Sequence, residues 1–310
     1  MPEMSLKDLG VAIIAPGGYA SDEAAFLRGL EYLRSLGCIV HNYYEPKDKF
    51  QRFGGTDEAR LQQLQTAAAN PDVQVVFALR GGYGLSRLLP KIDFKKIAAS
   101  GKLFVGHSDF TPFHMGLLIA GGAMSFAGPM LSDDFAREER SEFTLQHLWQ
   151  CLTNPTHTIA VQSANNPEVD VTGLLWGGNL AMLTHLIGTP YFPSIDGGIL
   201  FVEDVAEHPY RVERMLLQLL YAGVLERQKA LILGDFSNYR LTDYDNGYDF
   251  GATVTYIRSQ LSIPVLTGLP FGHIRDKATL AVGSQAQLVS DGNSWELTMR
   301  DYPNLAKHLK

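Results

Sequence analysis

The chain is 310 residues long, with 45% hydrophobic residues, 19% charged residues and a formal net charge of −7. Lys and Arg are scattered rather than clustered, which argues against nucleic acid and anionic membrane surfaces as partners. No run of about 18 apolar residues is present to span a bilayer.

The length suits two domains better than one core. The opening "MPEMSLKDLG" has no basic segment followed by an apolar one, so no signal peptide is expected. Cys38 and Cys151 are far apart and set in apolar pattern. No disulfide framework is expected, and a reducing, cytoplasmic compartment is.

In chain order, "VAIIAP" (Val11 to Pro16) predicts a buried strand, followed by a turn and an amphipathic helix. Phe26, Leu27, Leu30 and Leu33 form that helix's apolar face, and Gly37 suits its end. "VQVVFAL" (Val73 to Leu79) and "KLFVG" (Lys102 to Gly106) predict two more buried strands, each opening into Gly-rich or polar residues before another helical stretch. Strand, turn and helix in alternation predict an open, mostly parallel α/β sheet. Between Asn154 and Gly173 two Asn-Pro steps and weak helical periodicity predict an interdomain linker. The expected domains are therefore 1–160 and 161–310.

The second half predicts a helix over Asn179 to Leu186 and a strand, "GILFVED" (Gly198 to Asp204). A long helix from near Pro209 follows, with Val212, Met215, Leu216 and Leu219 on one face. Strands then recur in "KALILGDF", in "IPVLTGL" and in "TLAVGSQAQLVSDGNSWELTM". The last reads as two strands joined by a hairpin at Asp291-Gly292-Asn293.

Several residues carry chemistry. Ser108, in "GHSDFT", sits at a strand end, where a hydroxyl often caps the next helix. The G-x-S part also resembles a nucleophile elbow, although position 110 is Phe rather than Gly. "RGGYG" (Arg80 to Gly84) offers backbone N–H groups to a phosphate or an oxyanion, or is simply a tight turn. It lacks the spacing of a dinucleotide fingerprint, and no P-loop is present. Glu203 and Asp204 close a strand and serve either as a helix-start cap or as the partner of a histidine. His273, in "LPFGHIRD", follows an apolar run and a Gly. No H-E-x-x-H occurs and no Cys stands at ligand spacing from a histidine, so no metal is expected. Ser108, Glu203 and His273 occur in the order Ser, acid, His. That order works for acyl transfer on α/β scaffolds, where imidazole takes the serine proton and an anion fixes the imidazole.

"LRGGYGLSRLLP", "GHSDFT", "LLWGGNLAMLTHLIGTP", "ILFVEDVAEHPYRVERMLLQL" and "LTGLPFGH" together resemble the murein LD-carboxypeptidases, serine peptidases of family S66. The resemblance runs from the first strand to beyond His273. It implies an α/β N-terminal domain like that of class I glutamine amidotransferases and a smaller, strand-rich C-terminal domain. It also implies Ser108 as nucleophile, Glu203 as acid and His273 as general base, with backbone N–H groups of Gly82 and Asp109 as the oxyanion hole.

The implied reaction removes the terminal D-alanine of murein tetrapeptides during cytoplasmic cell-wall recycling, without a cofactor. The implied partner is a murein peptide, and a homodimer is among the expectations. An exopeptidase must bind a free carboxylate. Arg80 is the first candidate because guanidinium pairs bidentately with carboxylate, and a salt bridge to Asp109 is its alternative role. Trp176 and Asn179 are candidates to line the pocket, with core packing the alternative for Trp176. Two other readings stand beside this one. The superfamily also holds enzymes that cleave aminoacyl-nucleotide antibiotics of the microcin C type. A non-catalytic binding protein of this fold would be expected to lose a triad residue, and none is lost.

Overall fold

The computed structural model describes residues 6–308. Residues 1–5 and 309–310, which include half of the stretch read as free of a signal peptide and the outer ends of both expected domains, lie outside the described residues. The strands are β1 (Gly10–Ile14), β2 (Ile39–Asn42), β3 (Val75–Ala78), β4 (Leu103–Gly106), β5 (Ser125–Ala127), β6 (Thr156–Gln162), β7 (Glu168–Asn179), β8 (Ile199–Val205), β9 (Ala230–Ser237), β10 (Val265–Leu266), β11 (Leu280–Val282), β12 (Gln285–Asp291) and β13 (Ser294–Arg300). The α-helices are α1 (Glu23–Ser35), α2 (Asp57–Ala69), α3 (Phe94–Ala99), α4 (Thr111–Gly116), α5 (Glu142–Thr153), α6 (Leu180–Leu186), α7 (Pro209–Tyr221) and α8 (Phe250–Gln260).

Two sheets result. The first runs β11-β5-β4-β3-β1-β2 and is parallel except where β11 joins β5 antiparallel. Every residue of β1, β3 and β4 is buried, as expected of strands covered on both faces. Strand order reverses between β1 and β3, and the turns after them are tied together, the Gly18 N–H donating to the Gly81 carbonyl at 3.1 Å. The second sheet runs β10-β9-β8-β7-β12-β13-β6, parallel from β10 to β7 and antiparallel from there to β6. The chain is thus α/β, with a mostly parallel sheet first and a mixed, strand-rich sheet second.

Local chemistry explains the boundaries. Asp22 caps α1 by accepting from the Ala25 N–H at 2.9 Å, and Gly37 takes φ +91° beyond its end. Phe26, Leu30 and Leu33 are buried, but Leu27 is 48% exposed; its position one residue from Phe26 turns it off the apolar face. His208 and Pro209 open α7, which buries Val212, Leu216 and Leu219.

The stretch expected as a linker, Asn154 to Gly173, instead carries β6 and the start of β7. In β6 burial alternates residue by residue, with His157, Ile159 and Val161 inward. That is a period of two, and the Asn-Pro steps lie outside the strand rather than marking a flexible join. "TLAVGSQAQLVSDGNSWELTM" forms three strands rather than two. Gly283, at φ +97°, breaks β11 from β12, while the hairpin between β12 and β13 falls where expected.

Gly177 carries φ +144°, and a Cβ there would lie 1.8 Å from the Phe201 carbonyl oxygen on β8. Gly177→Ala is expected to lower stability by about 3 kcal/mol or more, read as a lower urea midpoint. A midpoint equal to that of the parent would mean that β7 and β8 do not approach this closely.

Candidate active site

The site is built from turns at strand ends. β4 closes at Gly106, where a Cβ would come within 2.8 Å of the Phe110 ring. The chain then turns sharply, and Ser108 takes φ +62°, a left-handed conformation that costs a non-glycine residue roughly 1–2 kcal/mol. A short 3₁₀ turn, Ser108–Phe110, leads into α4, and neither element has a side-chain cap. The Ser108 hydroxyl is therefore not spent on the helix. It lies 3.0 Å from His273 Nε2.

His273 Nδ1 is 2.9 Å from Glu203 Oε2. Since Nδ1–H donates to the carboxylate, the neutral ring leaves the Nε2 lone pair to accept the Ser108 proton. Glu203 lies within β8 rather than after it, at a register shift between Val202 and Asp204 that re-aims its side chain. It is 0% exposed. Across the strand pair Asn179 is its register partner, and Asn179 Nδ2 donates to Glu203 Oε1 at 3.3 Å and to Asp204 Oδ1 at 2.9 Å.

These contacts set the titration. Burial opposes charge on His273, but the hydrogen bond and charge of Glu203 outweigh it and raise the ring's pKa above the ordinary value. Burial, with Glu203 beside it, pushes Asp204 up to about 6. His107 packs edge-on against His273 with ring centroids 5.3 Å apart, and its Nδ1 meets the Gly128 carbonyl at 3.0 Å. Burial, and then the nearby Lys277 charge, holds it well below the usual histidine range. His114 bonds the Gly106 carbonyl through Nε2 and Ser125 through Nδ1, and burial lowers it to about 4. With both nitrogens committed, His114 is a structural residue.

The other expected site residues fare differently. Gly81, which the sequence reading did not single out, lies against the serine: a Cβ on it would sit 2.9 Å from Ser108 Oγ. Gly82 takes φ +89°, and its N–H faces the Asp109 carboxylate, which burial raises above the ordinary range. Arg80 lies across the Gly17-Gly18 turn, with its Nη1 3.5 Å from the Tyr19 carbonyl and its Nε buried without a partner. Among the described residues no carboxylate forms an ion pair with it, so the alternative bridge to Asp109 is absent. Trp176 does not line a pocket. It is 0% exposed, its indole N–H donates to Gln228 at 2.9 Å, and it packs on Phe192. Asn179 is 5% exposed and spends its carbonyl capping α6 and its amide on the two acids. It orients carboxylates rather than meeting solvent. The "LWGGN" motif carried no sign of burial, because an aromatic and an amide suit a pocket wall and a core equally well.

Among the described residues no helix is long and apolar enough to cross a membrane. The model for the LD-carboxypeptidase N-terminal domain matches residues 11–128, and that for the LD-carboxypeptidase C-terminal domain matches residues 172–288. The murein tetrapeptide carboxypeptidase of Pseudomonas aeruginosa is 32% identical over 299 residues, 92% of this chain and 94% of the relative. The crystal structure of muramoyltetrapeptide carboxypeptidase from Oxalobacter formigenes superposes with a TM-score of 0.92 at 56% identity, over 95% of this chain and 100% of that one. The microcin C7 self-immunity protein of Escherichia coli is 26% identical over 309 residues, 88% of each.

Two outcomes follow from the geometry. Gly81→Ala is expected to slow labelling of Ser108 by an organophosphorus probe by about 100-fold or more, since the Ser108 side chain or the backbone beside it has to shift; labelling at the parent rate would remove Gly81 from the site. In the parent protein, labelling is expected to fall as pH drops through the raised pKa of His273, above the ordinary value of about 6.5, because only the neutral ring accepts the serine proton. An acid limb centred below 6.5 would contradict this.

Proposed function

This chain belongs to the LD-carboxypeptidase family, and from that premise we propose that it removes the terminal D-alanine of murein tetrapeptides by serine acyl transfer. The observation that carries the mechanism is the single imidazole bonded at once to Ser108 and Glu203. The murein substrate is supported by the likeness to the Oxalobacter enzyme at 56% identity, against 26% for the microcin C7 self-immunity protein.

In the proposed reaction Ser108 Oγ attacks the carbonyl of the L,D bond while His273 Nε2 takes its proton. Glu203 keeps the ring oriented and stabilises the imidazolium. The N–H groups of Asp109 and Gly82 hold the oxyanion, each worth on the order of 3 kcal/mol, with Gly82 exchanging the Asp109 carboxylate for it. His273 returns the proton to the departing D-alanine nitrogen, and water releases the tripeptide from the acyl-enzyme. Arg80, with no acidic partner among the described residues, receives the terminal carboxylate. We read residues 1–160 as the unit bringing Ser108 and 161–310 as the unit bringing Glu203 and His273, with the chain passing between them at β6. The buried, unpaired cysteines suit a cytoplasmic protein.

The test is D-alanine release from murein tetrapeptide. Release by the parent protein, lost by about 10⁴-fold or more in Ser108→Ala, is expected. Arg80→Ala is expected to raise KM by about tenfold or more with a smaller change in kcat, and an unchanged KM would remove Arg80 from the carboxylate site. No release by the parent would turn the assignment to aminoacyl-nucleotide substrates.

A further inference from the structure

Four residues beyond the general base lies a charge that the reaction does not use. Lys277 is almost fully buried, and its Nζ sits 2.7 Å from Asp134 Oδ1, in an acid buried as deeply. The other oxygen of Asp134 accepts the Met130 N–H at 2.8 Å. Asp134 and Met130 follow β5, in the sheet that carries Ser108. Lys277 follows His273, on the segment that leaves the second sheet.

The ion pair is one of several ties at the same place. Thr144 Oγ1 donates to the Arg275 carbonyl at 2.9 Å and accepts the Lys277 N–H at 2.9 Å. Ser141 Oγ, which also caps α5, donates to Asp276 Oδ1 at 2.6 Å. The Ala278 N–H meets the Pro270 carbonyl at 2.6 Å and closes the segment into a loop with His273 inside it. Beyond it β11 pairs with β5. The base is therefore held from both sides, by Glu203 on the second sheet and by α5 and Asp134 on the serine's side.

We infer that the buried Lys277–Asp134 ion pair, with Thr144, is a positioning device for the general base, fastening the His273 loop to the nucleophile's sheet so that Nε2 meets Ser108 before substrate arrives. A buried ion pair is a poor source of stability compared with apolar residues of the same volume, so its presence fits a role in fixing geometry. Lys277 also places a positive charge near both His273 and His107, where it opposes the imidazolium. The other groups facing His273 are Glu203 and Asp204 from β8, Asp109 beside the serine, and Asp235 of β9, whose Cβ lies 3.0 Å from where a Gly272 Cβ would stand. The inference rests on the acyl-transfer reading for its kinetic arm but not for its spectroscopic one.

The experiment compares Lys277→Met, Lys277→Arg and Thr144→Val with the parent enzyme. D-alanine release is followed against pH, and the His273 ring is titrated by NMR without substrate. Lys277→Met is expected to lower kcat by about tenfold or more with KM within about twofold. It is also expected to move the His273 titration, and with it the acid limb of kcat/KM, upward by about half a unit, because the opposing positive charge is gone. Lys277→Arg is expected to restore both in large part. Thr144→Val unpairs no charge and is expected to lower kcat by about threefold or more without moving the titration.

A folded Lys277→Met protein with parental kcat and an unmoved titration would overturn the inference. Parental kcat in Thr144→Val would overturn it if Lys277→Met does not fold. Absence of D-alanine release from the parent would count against the substrate alone; positioning would then be read from the rate at which the organophosphorus probe labels Ser108, expected slower in Thr144→Val than in the parent, with a parental rate overturning the inference.

Discussion

One imidazole has to satisfy two partners that ride on different sheets. His273 donates to Glu203 at 2.9 Å and accepts from Ser108 at 3.0 Å, and such bonds lose most of their value within about half an ångström or a modest rotation. The two sheets must therefore be locked to that tolerance. Broad apolar faces alone would allow sliding, and the lock is built from close approaches instead. The Asn179 N–H donates to Thr111 Oγ1 at 2.9 Å, three residues beyond the serine. A Cβ on Gly178 would lie 2.4 Å from the same hydroxyl. β11 then leaves the second half of the chain to pair with β5 in the first sheet. Each device joins backbone to backbone or to a short side chain, which leaves little room for play.

Charge is graded across the same region. At the base of the site Glu203 and Asp204 are buried side by side, a costly arrangement unless their oxygens are bonded. Asn179 bridges them, and the Ala181 and Val205 N–H groups complete Asp204, each at 2.9 Å. Arg80, its Nη1 3.5 Å from the Tyr19 carbonyl, has no acidic partner among the described residues. In a chain of net charge −7, that guanidinium, one residue before the Gly81 that lies against Ser108, sets a local positive charge against the overall negative one.

The sequence carried the parallel sheet because strands buried on both faces read as unbroken apolar runs, as "VAIIAP" and "VQVVFAL" do. It carried β12 and β13 through the Asp291-Gly292-Asn293 turn. β6 was hidden by the Asn-Pro steps around it, though its alternation of His157, Ile159 and Val161 was present in the letters. The crossing of β11 was not legible, since which sheet a three-residue strand joins depends on distant partners. At the site, residue types and their order marked Ser108, Glu203 and His273. Burial separated the rest: Trp176 and Asn179 suit a pocket by type, and only packing shows that one belongs to the core and the other to the carboxylates. Lys277 and Asp134 lie 143 positions apart in sequence, and no local pattern announces a pair so separated.

The turn at Ser108 shows what the fold gives up locally. A left-handed serine costs roughly 1–2 kcal/mol, and a helix start without a side-chain cap forgoes about 1 kcal/mol more. The same hydroxyl could have served as the cap had the backbone stayed extended, as Thr56 does for α2 and Ser141 for α5. Instead the left-handed turn lifts Oγ away from the helix and toward His273. The loss is offset next door, where all six residues of α4 are buried and Phe110 and Phe113 pack with ring centroids 4.7 Å apart. Burying a side chain such as Phe113 contributes about 1.5–3 kcal/mol, enough to hold one unfavourable residue in place. Ser108 is thus kept strained by a helix that needs nothing from it.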